Sequence, residues 1–278
     1  MKQNFLLIFF TYFGIASLTS CGSQTDSHAQ DDKNTSANMK EQTVNYNADT
    51  VKMEGFVVYD DGNDKKRPAV LVVPEWWGLN EYAKGRARQL ANLGYVAMAV
   101  DLYGNGAIAD DPETAKKLSG PFYQDAQMAK SRFDAALAKL KSFSQVDTNN
   151  IAAIGYCFGG SQVLNAAKLG DNLKGVVSFH GNLAGVPADK SLLKAKILVC
   201  HGEADQFVKP EEVANFKKQM DSIGAVYTFK SYPGATHAFT NPNATATGKK
   251  FTMPIEYNAA ADSASWKEMK HFFSVIFK

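Results

Sequence analysis

Three short polar segments of the sequence contain side chains that can act together in nucleophilic catalysis. Cys157 lies in the segment G-Y-C-F-G-G, Asp205 ends the segment H-G-E-A-D, and His237 lies in the segment G-A-T-H-A-F. A thiolate can attack a carbonyl carbon, a histidine can transfer the protons, and a carboxylate can orient the histidine. These residue types therefore predict cleavage of an ester-like bond through an acyl-enzyme.

The residues around Cys157 predict a sharp turn between a strand and a helix. The apolar run Ile151 to Gly155 precedes the cysteine, and a helical pattern begins near Ser161. Glycines flank such a turn because larger side chains would clash there. The positive end of the following helix favours the reactive thiolate. The alternative interpretation is a buried structural cysteine in a glycine-rich turn.

The acid and the histidine also have structural alternatives. Asp205 follows the apolar run Ile197 to Cys200 and can instead cap the helix that starts near Pro210. A lone loop histidine such as His237 is often only structural. The order nucleophile, acid, histidine along the chain is that of α/β-hydrolases, so the combination favours the triad.

A fourth polar segment, P-E-W-W-G-L, follows the apolar run Ala69 to Val73. In folds with a strand-to-helix nucleophile turn, this loop supplies the second backbone amide of the oxyanion hole. We therefore assign the hole to the backbone N–H groups of Trp76 and Phe158. Glu75 is adjacent and is expected to face the thiol.

Apolar runs of strand length alternate with helical patterns along the chain, which predicts a mostly parallel sheet with helices on both faces. The predicted strands are Gly55 to Tyr59, Ala69 to Val73, Val96 to Val100, Ile151 to Gly155, Gly175 to Phe179, Ile197 to Cys200 and Tyr227 to Tyr232. The predicted helices are Asn80 to Leu93, Tyr123 to Phe143, Ser161 to Leu169, Glu211 to Ile223 and Ser263 to Ile276. Ligands gather beyond the carboxyl ends of parallel strands, where the polar segments stand.

The composition fits one globular domain and limits the partners. Of 278 residues, 45% are hydrophobic, and the formal net charge of +2 is too small for the basic surface that nucleic acid binding needs. The five histidines show no metal-ligand spacing, so neither a metal nor a cofactor is expected. The oligomeric state is left open.

The N-terminal segment has the pattern of an export signal. Residues 1 to 20 contain Lys2, an apolar stretch and a small-residue ending before Cys21. This ending resembles the bacterial lipobox, which implies lipidation of Cys21 and a membrane-anchored protein of the bacterial cell envelope, on its periplasmic or surface face. An ordinary signal or N-terminal anchor is the alternative. The polar residues 21 to 47 predict a flexible tether, and residues 48 to 278 the catalytic domain.

From about Val51 to the C-terminus, a set of motifs resembles the dienelactone hydrolase family of α/β-hydrolases. The motifs are E-W-W-G-L from Glu75, D-L-Y-G from Asp101, G-Y-C-F-G-G from Gly155, S-F-H-G from Ser178, H-G-E-A-D from His201 and G-A-T-H-A-F from Gly234. The resemblance implies a carboxymethylenebutenolidase-like thiol esterase that acts on a small ester or lactone. It also implies that Glu75 pairs with Cys157 and helps to ionise it as substrate binds.

The substrate-binding positions depart from the family pattern. Asn105 and Asn241 stand where the family has two arginines that bind the substrate carboxylate, and His180 replaces an active-site tyrosine. A neutral amide cannot provide the bidentate charged contact of arginine. Dienelactone itself is therefore not the expected substrate. His180 is expected to contact substrate from the position of that tyrosine.

Four aromatic residues, Trp76, Trp77, Tyr103 and Phe158, suggest an aromatic wall, with Trp77 and Tyr103 in contact with substrate. The alternative is that they belong to the core.

Two other functions stay open. A cysteine amidotransferase can use a histidine and glutamate two residues apart, such as His201 and Glu203, and a hydrolase scaffold can serve a non-catalytic, surface-tethered binding protein.

Overall fold

One mixed sheet of eight strands forms the centre of the protein in a computed structural model that describes residues 38–278. The strands are β1 Met39–Ala48, β2 Val51–Asp60, β3 Arg67–Val73, β4 Val96–Val100, β5 Val146–Tyr156, β6 Gly175–Phe179, β7 Lys196–Gly202 and β8 Tyr227–Tyr232. Their order is β1-β2-β4-β3-β5-β6-β7-β8, with antiparallel pairing of β1 to β2 and of β2 to β4 and parallel pairing elsewhere. The carboxyl ends of the parallel strands therefore meet at one edge.

Seven helices lie within residues 38–278. They are α1 Glu81–Asn92, α2 Pro112–Gln124, α3 Ala126–Lys141, α4 Phe158–Lys168, α5 Pro210–Ser222, α6 Ala244–Phe251 and α7 Ala259–Ile276. Buried residues of α1 and α7 pack on one face of the sheet, and those of α3, α4 and α5 pack on the other. Neighbouring residues of a strand point to opposite faces, so Val70 and Leu71 belong to different cores. The predicted α/β-hydrolase architecture, a mostly parallel sheet with helices on both faces, is confirmed.

All seven predicted strands are present as β2 to β8, but the predicted tether is wrong over its last nine residues, 39 to 47. Residues Met39–Ala48 form β1, which pairs along its whole length with β2. The alternate residues Val44 and Ala48 are buried, while Thr43 and Asn45 are exposed. An edge strand with one solvated face tolerates these polar residues. The domain therefore begins before residue 48, and the predicted signal peptide, Cys21 and the tether up to residue 37 lie outside the described residues.

Two helices, α2 and α6, were not predicted. Helix α2 contains Pro121 near its end, and a proline normally argues against a helix interior. Its start carries a stronger local signal, because the Asp111 side chain accepts hydrogen bonds from the backbone N–H groups of Glu113 and Thr114. Helix α6 has only eight residues. Among residues 38–278, no helix combines the length and the apolar character that a membrane span requires.

Candidate active site

Cys157 occupies a strained turn between β5 and α4. Its φ of 52° and ψ of −117° lie in a region that residues other than glycine rarely adopt. The Cys157 N–H donates to the carbonyl oxygen of Phe179 over 3.0 Å, which ties the turn to the end of β6. A Cβ atom at Gly155 would lie 2.0 Å from the Gly159 oxygen, and one at Gly159 would lie 2.2 Å from the Val73 oxygen. The glycines of the motif are therefore required by close backbone contacts.

Asp205 and His237 form a buried pair at the ends of β7 and β8. The His237 Nδ1 and the Asp205 Oδ2 are 2.8 Å apart, and the side chains are 8% and 0% exposed. The second carboxylate oxygen of Asp205 accepts a hydrogen bond from the Phe207 N–H over 2.8 Å. Since Nδ1 is engaged with the carboxylate, Nε2 is left for the thiol.

The charges around His237 favour its protonated form. Burial lowers the pKa of His237, but the Cys157 thiol group and Asp205 outweigh this effect and raise the pKa well above its ordinary value of 6.5. The structure thus brings Cys157, His237 and Asp205 together.

Glu75 is buried beside this group. Burial raises the pKa of its carboxyl group to about 7, against the opposing effects of the Asn241 hydrogen bond and of the charges of His237 and Arg86. The Asn241 side-chain N–H donates to the Glu75 Oε2 over 2.7 Å. No hydrogen bond links Glu75 to Cys157 among the residues that the structure describes. Near neutral pH this carboxyl group can therefore hold or release a proton.

The segments that carry the predicted oxyanion-hole amides lie against each other. Phe158 is the first residue of α4, and Trp76 follows β3 in the loop that reaches the start of that helix. An added Cβ atom at Gly159 would meet the Pro74 oxygen at 2.5 Å. The Tyr103 hydroxyl donates to the Trp76 carbonyl oxygen over 2.8 Å, which fixes that peptide group.

Aromatic side chains surround this end of the sheet. Trp76, Trp77 and Tyr103 are partly exposed, whereas the Phe158 side chain is buried and belongs to the core. The Trp76 and Trp77 rings are 5.1 Å apart in an edge-to-face contact. The predicted contacts Trp77 and Tyr103 are thus partly accessible to solvent.

Two exposed aromatic residues near the triad were missed by the sequence analysis. The Tyr123 ring lies 5.5 Å from that of Phe158, and the Phe207 ring lies 5.0 Å from that of His237. Both are exposed, at 50% and 45% respectively. Phe207 could have been identified because it stands two residues after Asp205, but Tyr123 lies at the end of the unpredicted helix α2.

The predicted contact of His180 with substrate is wrong. Its side chain is 0% exposed and lies beneath the Cys157 turn. The His180 Nδ1 accepts a hydrogen bond from the Cys157 N–H over 3.1 Å, and its Nε2 lies 2.7 Å from the Thr240 hydroxyl oxygen. Asn105 is exposed, and Asn241 is engaged with Glu75.

The geometry does not favour the amidotransferase alternative. Glu203 is exposed, and the buried ring of His201 packs 5.7 Å from that of Phe229. No hydrogen bond joins His201 to Glu203 within the described range. Among residues 38–278, no cluster of three or more histidine, cysteine or acidic side chains is arranged to hold a metal ion.

Several known proteins resemble this chain in sequence and in structure. The family model described as the dienelactone hydrolase family matches residues 53–277. Protein usf of Aquifex pyrophilus is 30% identical over 205 residues, which cover 72% of this chain and 87% of that protein. The crystal structure of P91, described as a dienelactone hydrolase-like promiscuous phosphotriesterase from metagenomic libraries, is 33% identical. It has a TM-score of 0.81 and covers 86% of this chain and 99% of its own.

A more distant structure shares the fold alone. MGS-M1, an α/β-hydrolase enzyme from a deep-sea metagenome library, is 14% identical with a TM-score of 0.61, and the match covers 85% of this chain and 98% of that one. The family match extends over most of the chain and includes the elements that carry Glu75, Cys157, Asp205 and His237. The chain belongs to the dienelactone hydrolase family and is an ester or lactone hydrolase.

Proposed function

We propose that the protein cleaves its substrate through a thioester on Cys157, with His237 as the proton-transfer group and Asp205 as its partner. The observation that carries this proposal is the buried His237–Asp205 pair, 2.8 Å between Nδ1 and Oδ2, beside a cysteine with a φ of 52°. Strain of this kind is maintained at functional sites because it orients a reacting atom.

In the acylation step, the Cys157 thiolate attacks the carbonyl carbon, and the carbonyl oxygen becomes an oxyanion. The backbone N–H groups of Trp76 and Phe158 donate hydrogen bonds to that oxygen. As the tetrahedral intermediate collapses, the carbon–oxygen bond to the alcohol breaks, and the His237 imidazolium gives its proton to the departing oxygen.

In the deacylation step, His237 takes a proton from a water molecule that attacks the thioester. The carbon–sulfur bond then breaks, the acid product leaves, and Cys157 returns as a thiolate paired with the imidazolium. Asp205 keeps Nδ1 protonated through both steps, because it accepts the Nδ1–H hydrogen bond.

Glu75 is proposed to assist ionisation of the thiol. Its pKa of about 7 allows it to accept a proton at neutral pH, and Asn241 holds its carboxylate until substrate binds. A substrate that displaces Asn241 from Glu75 would free the carboxylate to take the proton of any Cys157 that is still a neutral thiol, in parallel with His237.

The substrate is proposed to be a small neutral ester or lactone with an apolar group. Asn105 and Asn241 provide no positive charge for a substrate carboxylate, and the Asn241 amide already binds Glu75. The partly exposed rings of Trp76, Trp77 and Tyr103 provide apolar contact area instead.

The test is hydrolysis of p-nitrophenyl acetate by the full chain in detergent, compared with C157A and with the matched control C200A. Cys200 is buried within β7, and its Sγ accepts a hydrogen bond from the Tyr232 hydroxyl, while its backbone groups stay in place in C200A, so C200A is expected to keep its turnover. Loss of turnover in C157A alone, with a thioester trapped on the wild-type protein in mass spectrometry, supports the proposal. Unchanged turnover in C157A would refute it, and an inactive wild-type protein on all esters and lactones would favour the binding-protein alternative.

We also propose that Cys21 is lipidated and anchors the protein in a membrane of the bacterial cell envelope. The support is the order of charged, apolar and small residues before Cys21 in the sequence. In cell fractionation, the wild-type protein should be found with membranes and C21S should not. Equal membrane association of C21S would refute lipid anchoring.

A further inference from the structure

A buried chain of hydrogen bonds connects the Cys157 turn with the loop that carries His237. The Cys157 N–H donates to the His180 Nδ1 over 3.1 Å, and the His180 Nε2 lies 2.7 Å from the Thr240 hydroxyl oxygen. Thr240 stands three residues after His237, and neither His180 nor Thr240 is exposed to solvent. The His180 ring thus contacts both the turn that carries the proposed nucleophile and the loop that carries the proposed base.

The hydrogen bonds determine the protonation state of His180. Because Nδ1 accepts a hydrogen bond from the Cys157 N–H, the ring proton is on Nε2, and Nε2 donates to the Thr240 hydroxyl oxygen. A second proton on Nδ1 would face the Cys157 N–H. Burial, together with the charges of His237 and Arg86, also holds the pKa of His180 well below its ordinary value.

Thr240 connects this ring to two helices on the same face of the sheet. Its hydroxyl oxygen lies 2.7 Å from the Tyr82 hydroxyl of α1. Its carbonyl oxygen accepts a hydrogen bond from the Arg86 Nη2 over 2.6 Å, and Arg86 pairs with Asp262 of α7 over 2.6 Å. The loop from His237 to Asn241 is therefore fixed to α1 and, through Arg86, to α7.

We propose that His180 is a positioning residue, which in its neutral Nε2–H form holds the Cys157 turn and the His237 loop in register. The Cys157 N–H has two acceptors, the Phe179 oxygen and the His180 Nδ1, which together support the strained turn. The His180 and His237 rings meet edge to face with 5.4 Å between their centroids. The inference rests on the proposed thiol chemistry.

This role differs from contact with substrate, and kinetics can separate the two. Loss of a substrate contact raises KM, whereas misplacement of the nucleophile or base lowers kcat. H180F removes both hydrogen bonds and keeps a ring, so kcat for p-nitrophenyl acetate should fall about 10- to 100-fold, with KM within about twofold of the wild-type value. H180Q retains an acceptor and a donor and should recover most of the lost kcat. The matched control is H271Q, because His271 is exposed on α7.

A spectroscopic measurement tests the protonation state without reference to activity. In ¹⁵N-histidine NMR of the full chain, one neutral Nε2–H imidazole should persist at acidic pH values where an ordinary histidine is protonated, and its signal should be absent in H180F. Assignment of His180 as an Nδ1–H or doubly protonated ring would overturn the proposal. So would wild-type kcat in a folded H180F.

If H180F fails to fold, T240V decides the kinetic question. Valine removes the hydroxyl that binds His180 and retains the branched shape, so kcat should fall severalfold with an unchanged KM. A folded T240V with wild-type kcat would overturn the proposal. Failure of the proposed function would be recognised separately, because turnover would then survive in C157A.

Discussion

Replacement of Asp205 by asparagine tests how the triad depends on one buried hydrogen bond. The Asp205 Oδ2 lies 2.8 Å from the His237 Nδ1, and its other oxygen accepts the Phe207 N–H over 2.8 Å. In D205N the remaining carbonyl oxygen can keep the bond to Phe207, so the amide NH₂ then faces Nδ1. His237 must accept at Nδ1, and its proton moves to Nε2, which no longer receives a proton from the thiol.

The expected loss is large and lies in kcat. The equivalent change in a serine triad lowers kcat by about 10⁴. A thiol ionises more easily than a hydroxyl, so we expect D205N to lower kcat by about 10²- to 10³-fold. This loss corresponds to about 3 to 4 kcal/mol of transition-state stabilisation. KM should change little, because Asp205 orients the base and does not contact substrate.

The assay is steady-state hydrolysis of p-nitrophenyl acetate, with the thermal unfolding midpoint measured in parallel. The control is D64N, which makes the same change at an exposed residue between β2 and β3. A folded D205N that keeps its kcat within about threefold of wild type would refute the assignment of Asp205 as the catalytic acid partner.

Three further predictions concern buried charged groups. Burial raises the pKa of Glu75 from 4.5 to about 7, so wild-type stability falls as pH rises through that interval. E75Q should then be more stable by at most about 3 kcal/mol in urea unfolding above pH 7, while losing activity. N241R should place a positive charge beside Glu75, lower its pKa, and shift the acidic limb of the pH–rate profile to lower pH; an unshifted limb would exclude Glu75 as its source. Burial lowers the pKa of Lys168 from 10.5 to about 8, so the charged lysine destabilises the fold below pH 8. K168M should be more stable than wild type by about 3 kcal/mol at neutral pH, and the difference should shrink between pH 8 and 10.5.

The sequence predicted correctly those features of the structure that depend on residues close together in the chain. The strand before Cys157, the glycines around it and the polar residues after β7 and β8 are all neighbours in sequence, so their arrangement could be predicted. Strand β1 was missed because its outward residues are polar, and its strand pattern shows only in the alternation of Val44, Tyr46 and Ala48.

Contacts between distant segments could not be predicted in the same way. His180 is separated from Thr240 by 60 residues, and Glu75 from Asn241 by 166. Nothing in the residues around His180 indicates that its ring lies under the nucleophile turn and not in the substrate site. Tyr123 approaches Phe158 only because α2 forms in spite of Pro121.

The proposed catalytic residues and the two positions that depart from the family pattern are held in different ways. Cys157, Asp205 and His237 follow the ends of parallel strands, and their positions are fixed by buried hydrogen bonds. Asn105 and Asn241 lie in loops, where replacement of a charged side chain leaves the sheet unchanged. With an arginine at 241, the Glu75 carboxylate would have a permanent positive partner; with asparagine its pKa stays near 7. In the proposed function, asparagine at position 241 would therefore offer no charge to a substrate carboxylate and would leave Glu75 able to exchange a proton at neutral pH.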